Sequence, residues 1–240
     1  MHGLPARRFS AGKHDVTLDF HLSDLAIRVP VVLLALTVHE FFHAYSAYRL
    51  GDPTACRAGR CTLNPLAHLD PIGTLCLLFA PIGWAKPVPV NPMNFRRPGR
   101  DDVICSAAGP ASNFAQAFVF ALLLRALTAG APEVQGRLGP YGFSAVFQFC
   151  FYGVLINVGL AVFNLLPVYP LDGFHVWANL MKGETRQRFL ETARYGLYII
   201  IGLVLLSGTP VDPLGRVISP VLNFFFRYVA GHRALLPAGG

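Results

Sequence analysis

Residues 25–50 read LAIRVPVVLLALTVHEFFHAYSAYRL, and the fold turns on how this stretch is satisfied. It is apolar almost throughout until His39, and from there polar groups enter every turn. As a helix it is long enough to cross a hydrocarbon layer of about 30 Å. Within it, His39-Glu40-Phe41-Phe42-His43 forms an HExxH pattern. Residues four apart share one helical face, so both imidazoles can reach one metal ion. Glu40 sits one position along, near enough to contact an activated water without ligating the ion. The location sharpens the pattern, because a charge in the middle of an apolar helix costs about 2.5–3.5 kcal/mol on insertion scales unless it is partnered. The competing reading is a buried polar cluster that links helices around a water-filled cavity.

The rest of the chain fits a membrane setting. Of 240 residues, 53% are hydrophobic and only 14% are charged, and mean hydropathy is +0.47. Soluble domains carry about 25% charge, so the deficit points to the bilayer as solvent. The net charge of +7 is read as a report on orientation, and no basic run interleaved with aromatics suggests a nucleic-acid partner. The five cysteines, Cys56, Cys61, Cys76, Cys105 and Cys150, include no CxxC pair and read as reduced or buried thiols. The N-terminus lacks the continuous apolar core of a cleavable signal.

Further spanning helices are expected at about 103–127 and 143–166, with shorter ones near 195–206 and 214–229. Residues 71–85, interrupted by Gly73, Pro81 and Gly83, are too short to span and read as a re-entrant or broken piece. The expected fold is an all-α, polytopic membrane helical bundle of about five to six transmembrane segments. Its domain covers 23–230, with a core at 25–180, between tails at 1–22 and 231–240. Three loops are basic: Arg49, Arg57 and Arg60; Lys86, Arg96, Arg97 and Arg100; Lys182, Arg186, Arg188 and Arg194. Placing all three in the cytoplasm satisfies the positive-inside rule, although Arg7, Arg8 and Lys13 then fall outside. His39 and Asp172 then lie at similar depth, toward the cytoplasmic ends of their segments.

A catalytic zinc needs a third protein ligand and an open position. Asn164-Leu165-Leu166-Pro167-Val168-Tyr169-Pro170-Leu171-Asp172-Gly173 offers one. Its prolines end regular helix, and Gly173 permits a tight turn directly after the Asp172 carboxylate. HEFFH followed by NLLPVYPLDG resembles the site-2 protease family of intramembrane zinc metalloproteases. Other stretches are similar to its compact prokaryotic branch, which lacks PDZ and CBS domains: RLGDPTA from Arg49, LNPLAHLDPIG from Leu63, GWAKPVPVNP from Gly83 and AGPASN from Ala108. The resemblance spans roughly residues 25–180. One departure is Phe174, where many relatives carry a second glycine.

The resemblance implies one Zn2+ bound by His39, His43 and Asp172, with Glu40 as catalytic base. Asn164 matches the motif asparagine, implied to orient the substrate or the reacting carbonyl; a helix-to-helix hydrogen bond is the equal alternative. The implied substrate is a transmembrane protein segment that must unwind locally near the zinc. Val88 and Val90, alternating with Pro87 and Pro89, suggest an extended segment at 84–95 that holds substrate by strand addition, or else a rigid proline-rich connector. His68 and Asp70 read as caps of the re-entrant turn, and His175 as a supporting residue rather than a ligand. Gly109-Pro110 with Asn113 reads as a close helix contact. Against the protease stand two other classes, a zinc-binding membrane transporter and a catalytically silent membrane scaffold. A transporter needs a polar path across the bilayer, whereas the ionisable groups here cluster at one depth.

Overall fold

The computed structural model describes residues 22–70, 73 and 85–231. The tail before residue 22, almost all of the 71–85 piece and the C-terminal tail from 232 lie outside the described residues. Cys76, His2, His14, His21 and His232 lie there too.

Among the described residues, three helices are long and apolar enough to cross a membrane. The first, α1, runs Leu22–Leu50 and carries HEFFH in its second half. Its end is encoded locally. Gly51 takes a φ of 116°, Gly51 N–H donates to Tyr48 O at 3.2 Å and Asp52 N–H to Ala47 O at 2.9 Å. That pair of bonds is a Schellman closure, which satisfies carbonyls the helix leaves open. A short helix, α2 (Thr54–Arg57), follows.

The second long helix, α3, spans Pro98–Ala129. Proline at its first position loses no intrahelical bond, and Asp101 accepts from Arg97 N–H at 2.8 Å to close the entry. The third, α4, spans Ala131–Asn164 but breaks at Gly139, whose φ of 71° and ψ of 171° are not helical. Pro140 follows, so the chain turns there, and the longer apolar stretch is the part after it. These three helices match the expected segments at 25–50, 103–127 and 143–166. The last two expected spans appear as shorter helices, α7 (Gly196–Leu205) and α8 (Pro213–Phe224), the latter continuing as a π-helix over Phe225–Val229. Between them and α4 lie α5 (Asp172–Leu180) and α6 (Gly183–Glu191).

α3 packs along α4, α1 lies against both, and α5 rests on α3. The core forms where α3, α4 and α8 meet, around Phe120, Leu124, Val154, Val158 and Phe226. In lipid such packing gains dispersion rather than transfer from water, so close approach matters most. Gly153 shows this: a Cβ there would lie 2.3 Å from the Phe120 ring. Leu122 and Leu123 on α3 stay about half exposed, an arrangement that suits acyl chains.

The 85–91 segment contains no helix. It begins at an antiparallel bridge between Leu69 and Ala85, with Lys86 N–H donating to His68 O at 2.8 Å. No further strand pairing occurs among the described residues. His68 is buried and its Nε2 pairs with Thr62 O at 2.8 Å, while Asp70 accepts from Gly73 N–H at 2.8 Å, both of them supports of the turn.

The cysteines depart in part from expectation. Cys105 and Cys150 are free and buried, but Cys56 and Cys61 are joined by a disulfide. The cause is the local turn: Gly59 at φ 72° reverses the chain, and Arg60 N–H donates to Ala55 O at 2.9 Å. The two side chains are thereby brought together without CxxC spacing.

Candidate metal centre

Two distant parts of the chain meet at one point. His39 and His43 occupy successive turns of α1, and Asp172 opens α5. His39 Nε2 and His43 Nε2 lie 3.0 Å apart. Each stands 3.2 Å from an Asp172 oxygen, His39 from Oδ2 and His43 from Oδ1. Both histidines are buried, and the three side chains form the metal-competent group found among the described residues.

The outer ring nitrogens explain why the inner ones converge. His39 Nδ1 faces Asn113 Oδ1 at 2.6 Å, and His43 Nδ1 faces the Cys105 carbonyl at 2.8 Å. Both partners only accept, so each Nδ1 carries the proton and each Nε2 presents a lone pair. Three electron-rich groups therefore point at one another with no proton between them. Asp172 Oδ2 is buried and receives no hydrogen bond. Such an arrangement needs a cation. Tetrahedral zinc with bonds of about 2.0–2.1 Å sets its donors roughly 3.3 Å apart, close to the spacing found.

Space for the ion is built in as well. A Cβ on Gly109 of α3 would lie 2.2 Å from His43 Nε2 and 2.7 Å from His39 Nε2. Glycine at 109 therefore keeps clear the volume that the two histidines face. Gly173 acts differently from the expected turn. Its backbone is helical, and a Cβ there would lie 2.3 Å from Leu165 O and 2.4 Å from Leu166 O. The missing side chain lets α5 press against the end of α4, which sets the depth of Asp172.

The group opens into a cavity of about 940 Å3, lined among others by Glu40, Val88, Asp102, Asn164, Asp172 and His175. Glu40 Oε2 accepts from Val88 N–H at 3.2 Å, so the 85–91 segment touches the proposed base through its backbone. Asn164 faces the same cavity, and its Nδ2 donates to Leu160 O of its own helix at 3.0 Å rather than to another helix. His175 is about half exposed and lies 4.0 Å from Asp102 Oδ2, outside the metal-competent group. Asn179 Nδ2 donates to that same oxygen at 2.5 Å.

Sequence reasoning read Asn113 only as a packing residue, and it overlooked Asn157 and Asp102. A signal for Asn113 existed: a metal-ligating histidine inside an apolar helix needs an acceptor for its second nitrogen. Buried amides on neighbouring helices are natural suppliers.

Comparison with known proteins agrees with this geometry. The model of peptidase family M50 matches residues 89–207. The putative zinc metalloprotease YwhC of Bacillus subtilis (strain 168) is 39% identical over 210 residues, covering 87% of this chain and 91% of that protein. The putative zinc metalloprotease Rip2 of Mycolicibacterium smegmatis is 31% identical over 212 residues, covering 87% of this chain and 76% of that protein. Rip2 of Mycobacterium tuberculosis (strain H37Rv) is 27% identical over 183 residues, with shares of 72% and 64%. No solved structure matches the chain.

Proposed function

The chain belongs to peptidase family M50, the site-2 protease family of zinc metalloproteases, and from that premise we propose how its own residues carry out intramembrane proteolysis. His39, His43 and Asp172 hold one zinc ion, and Glu40 is the catalytic base. The observation that carries this reading is the convergence of two Nε2 lone pairs and an unbonded carboxylate oxygen beside Gly109.

Zinc bound there supplies a Lewis acid that makes water nucleophilic near neutral pH and polarises the scissile carbonyl. Glu40 accepts the proton of the attacking water as oxygen bonds to the carbonyl carbon. It then returns that proton to the amide nitrogen as the C–N bond breaks. Asn164, which lines the same cavity, orients the substrate or the reacting carbonyl. The substrate is a membrane-protein segment that has lost its helix locally, because helical peptide groups are hidden from attack. Its extended form is held along residues 85–91, where the backbone beyond the Leu69–Ala85 bridge has no further strand partner among the described residues and can add a strand.

The catalytic domain takes in residues 23–230, with its core at 25–180. The shorter α7 and α8 complete a multi-pass bundle of about five to six transmembrane segments. The basic loops at 49–60, 86–100 and 182–194 support an active site toward the cytoplasmic side.

Zinc content and cleavage test the assignment together. Wild type in mild detergent should carry about one zinc per chain, and Asp172→Ala should lose both zinc and cleavage. Glu40→Gln should keep the zinc while cleavage falls by about 10²–10⁴. Sustained proteolysis in Glu40→Gln would remove the mechanism.

A further inference from the structure

Two asparagines inside long apolar helices have no exposure at all, Asn113 on α3 and Asn157 on α4. Burying two amides in apolar surroundings is costly unless every polar atom is paired. Their hydrogen bonds form a directed chain. Asn157 Nδ2 donates to the Gly153 carbonyl of its own helix at 2.9 Å. That carbonyl only accepts, so the NH2 end of Asn157 must face it and Oδ1 must face α3. There Oδ1 accepts from Asn113 Nδ2 at 2.8 Å. The same Nδ2 donates to Ala35 O on α1 at 3.2 Å. Both hydrogens of Asn113 are thus taken by acceptors, and its Oδ1 is left facing His39 Nδ1 at 2.6 Å.

We propose that Asn157 is a positioning residue for the metal centre, acting through the Asn113 amide to hold His39 in the tautomer whose Nε2 is a free lone pair. This rests on the metal-site reading above and deepens it. The relay starts at a backbone carbonyl of α4, crosses α3 and ends on α1, joining three helices through groups that never meet solvent. Its logic is steric as well as electrical. If the Asn113 amide turned over, an NH2 group would face His39 Nδ1. The imidazole proton would then move to Nε2, the atom that must be bare. His43 needs no such device, because its Nδ1 is held by the Cys105 backbone carbonyl, which cannot turn over.

The test compares wild type, Asn157→Leu, Asn157→Asp and Ser112→Ala. Ser112 is a neighbouring buried residue whose hydroxyl bonds Gly109 O at 2.7 Å, outside the relay. Zinc affinity is read by chelator competition in detergent. The histidine tautomer is read from ¹⁵N shifts of the zinc-free proteins. Asn157→Leu should weaken zinc binding by about 10–100-fold, the usual range for outer-sphere partners of a ligand, and should give His39 a mixed tautomer. Asn157→Asp, which at this burial is the protonated acid, keeps an O–H donor for the Gly153 carbonyl and an acceptor oxygen toward Asn113. It should stay close to wild type, which also covers the case in which the leucine variant fails to fold. Ser112→Ala should leave both readouts unchanged. Wild-type affinity and tautomer in Asn157→Leu would overturn the relay while leaving the metal site intact. So would equal losses in Asn157→Leu and Ser112→Ala, or in Asn157→Leu and Asn157→Asp. A wild type that binds no zinc would overturn both the relay and the site.

Discussion

The two walls of the cavity are built on different principles. The metal wall comes from helices: α1 sets His39 and His43 one turn apart, α5 starts on Asp172, and α3 supplies Gly109 and Asn113. The other wall is the 85–91 segment, which has almost no regular structure and is fastened by single contacts from afar. Asp52 Oδ2 accepts from Asn91 N–H at 2.7 Å and Asp52 Oδ1 from Asn94 Nδ2 at 2.7 Å. Arg60 bonds the Lys86 carbonyl, and Glu40 receives Val88 N–H. The first wall is rigid because it is packed. The second is held by a few groups that can be exchanged, which suits a surface that must accept another chain.

The contrast predicts that the two walls fail differently. Gly109→Ala should have the largest effect, because its methyl enters the space between the histidines. Zinc and cleavage should vanish together, checked by metal analysis on folded, purified protein. Retained zinc would mean that the helical wall yields more than its packing allows.

Asp52→Asn should instead leave zinc in place and lower cleavage by roughly 10–100-fold, since misplacing a substrate-aligning element is costly without touching the chemistry. Loss of zinc in this variant would erase the distinction between the walls. The pH dependence follows with its sign. Burial alone would raise the Asp52 carboxyl, but the donors of Asn94, Thr54 and Asn91 hold it below its ordinary value. A carboxyl lowered on folding contributes stability that is complete above its unfolded value, near 3.9, and is lost as pH falls through the folded one. Thermal midpoints of wild type and Asp52→Asn should therefore differ by a constant amount from about pH 8 to about pH 5, and converge only below about pH 4. Convergence near neutral pH would show that another group holds the segment. The smallest effect belongs to Arg60→Met, which removes one contact to Lys86 and should slow cleavage by roughly threefold, about 0.6 kcal/mol in barrier height.

The same division decides what could be read in advance. HEFFH was legible because helical spacing is periodic and because ionisable groups in an apolar helix demand an explanation. The three long helices were legible for the same reason, with ends that differ by a few residues. Asp172 stood out instead through the prolines before it and the resemblance of NLLPVYPLDG to a family motif, and Gly173, read as a turn, proved helical. Asn157 was silent: a lone asparagine in a helix gains its meaning only from the register of two neighbouring helices. Gly109 looked like a packing glycine until its position over His39 and His43 was known. The Cys56–Cys61 bond was missed because it depends on the reversal at Gly59. The fastening of residues 85–91 joins positions tens of residues apart, and no local pattern encodes it.

The distance along the chain between the two halves of the metal group has a consequence in time. HEFFH leaves the ribosome early, while Asp172 follows about 130 residues later. At roughly 5–20 residues per second, that interval lasts on the order of 6–26 s. Throughout it the nascent chain carries HEFFH without the carboxylate that faces it, and α4 ends at Asn164, only shortly before Asp172. Proteolytic competence therefore arrives only when most of the bundle has been made.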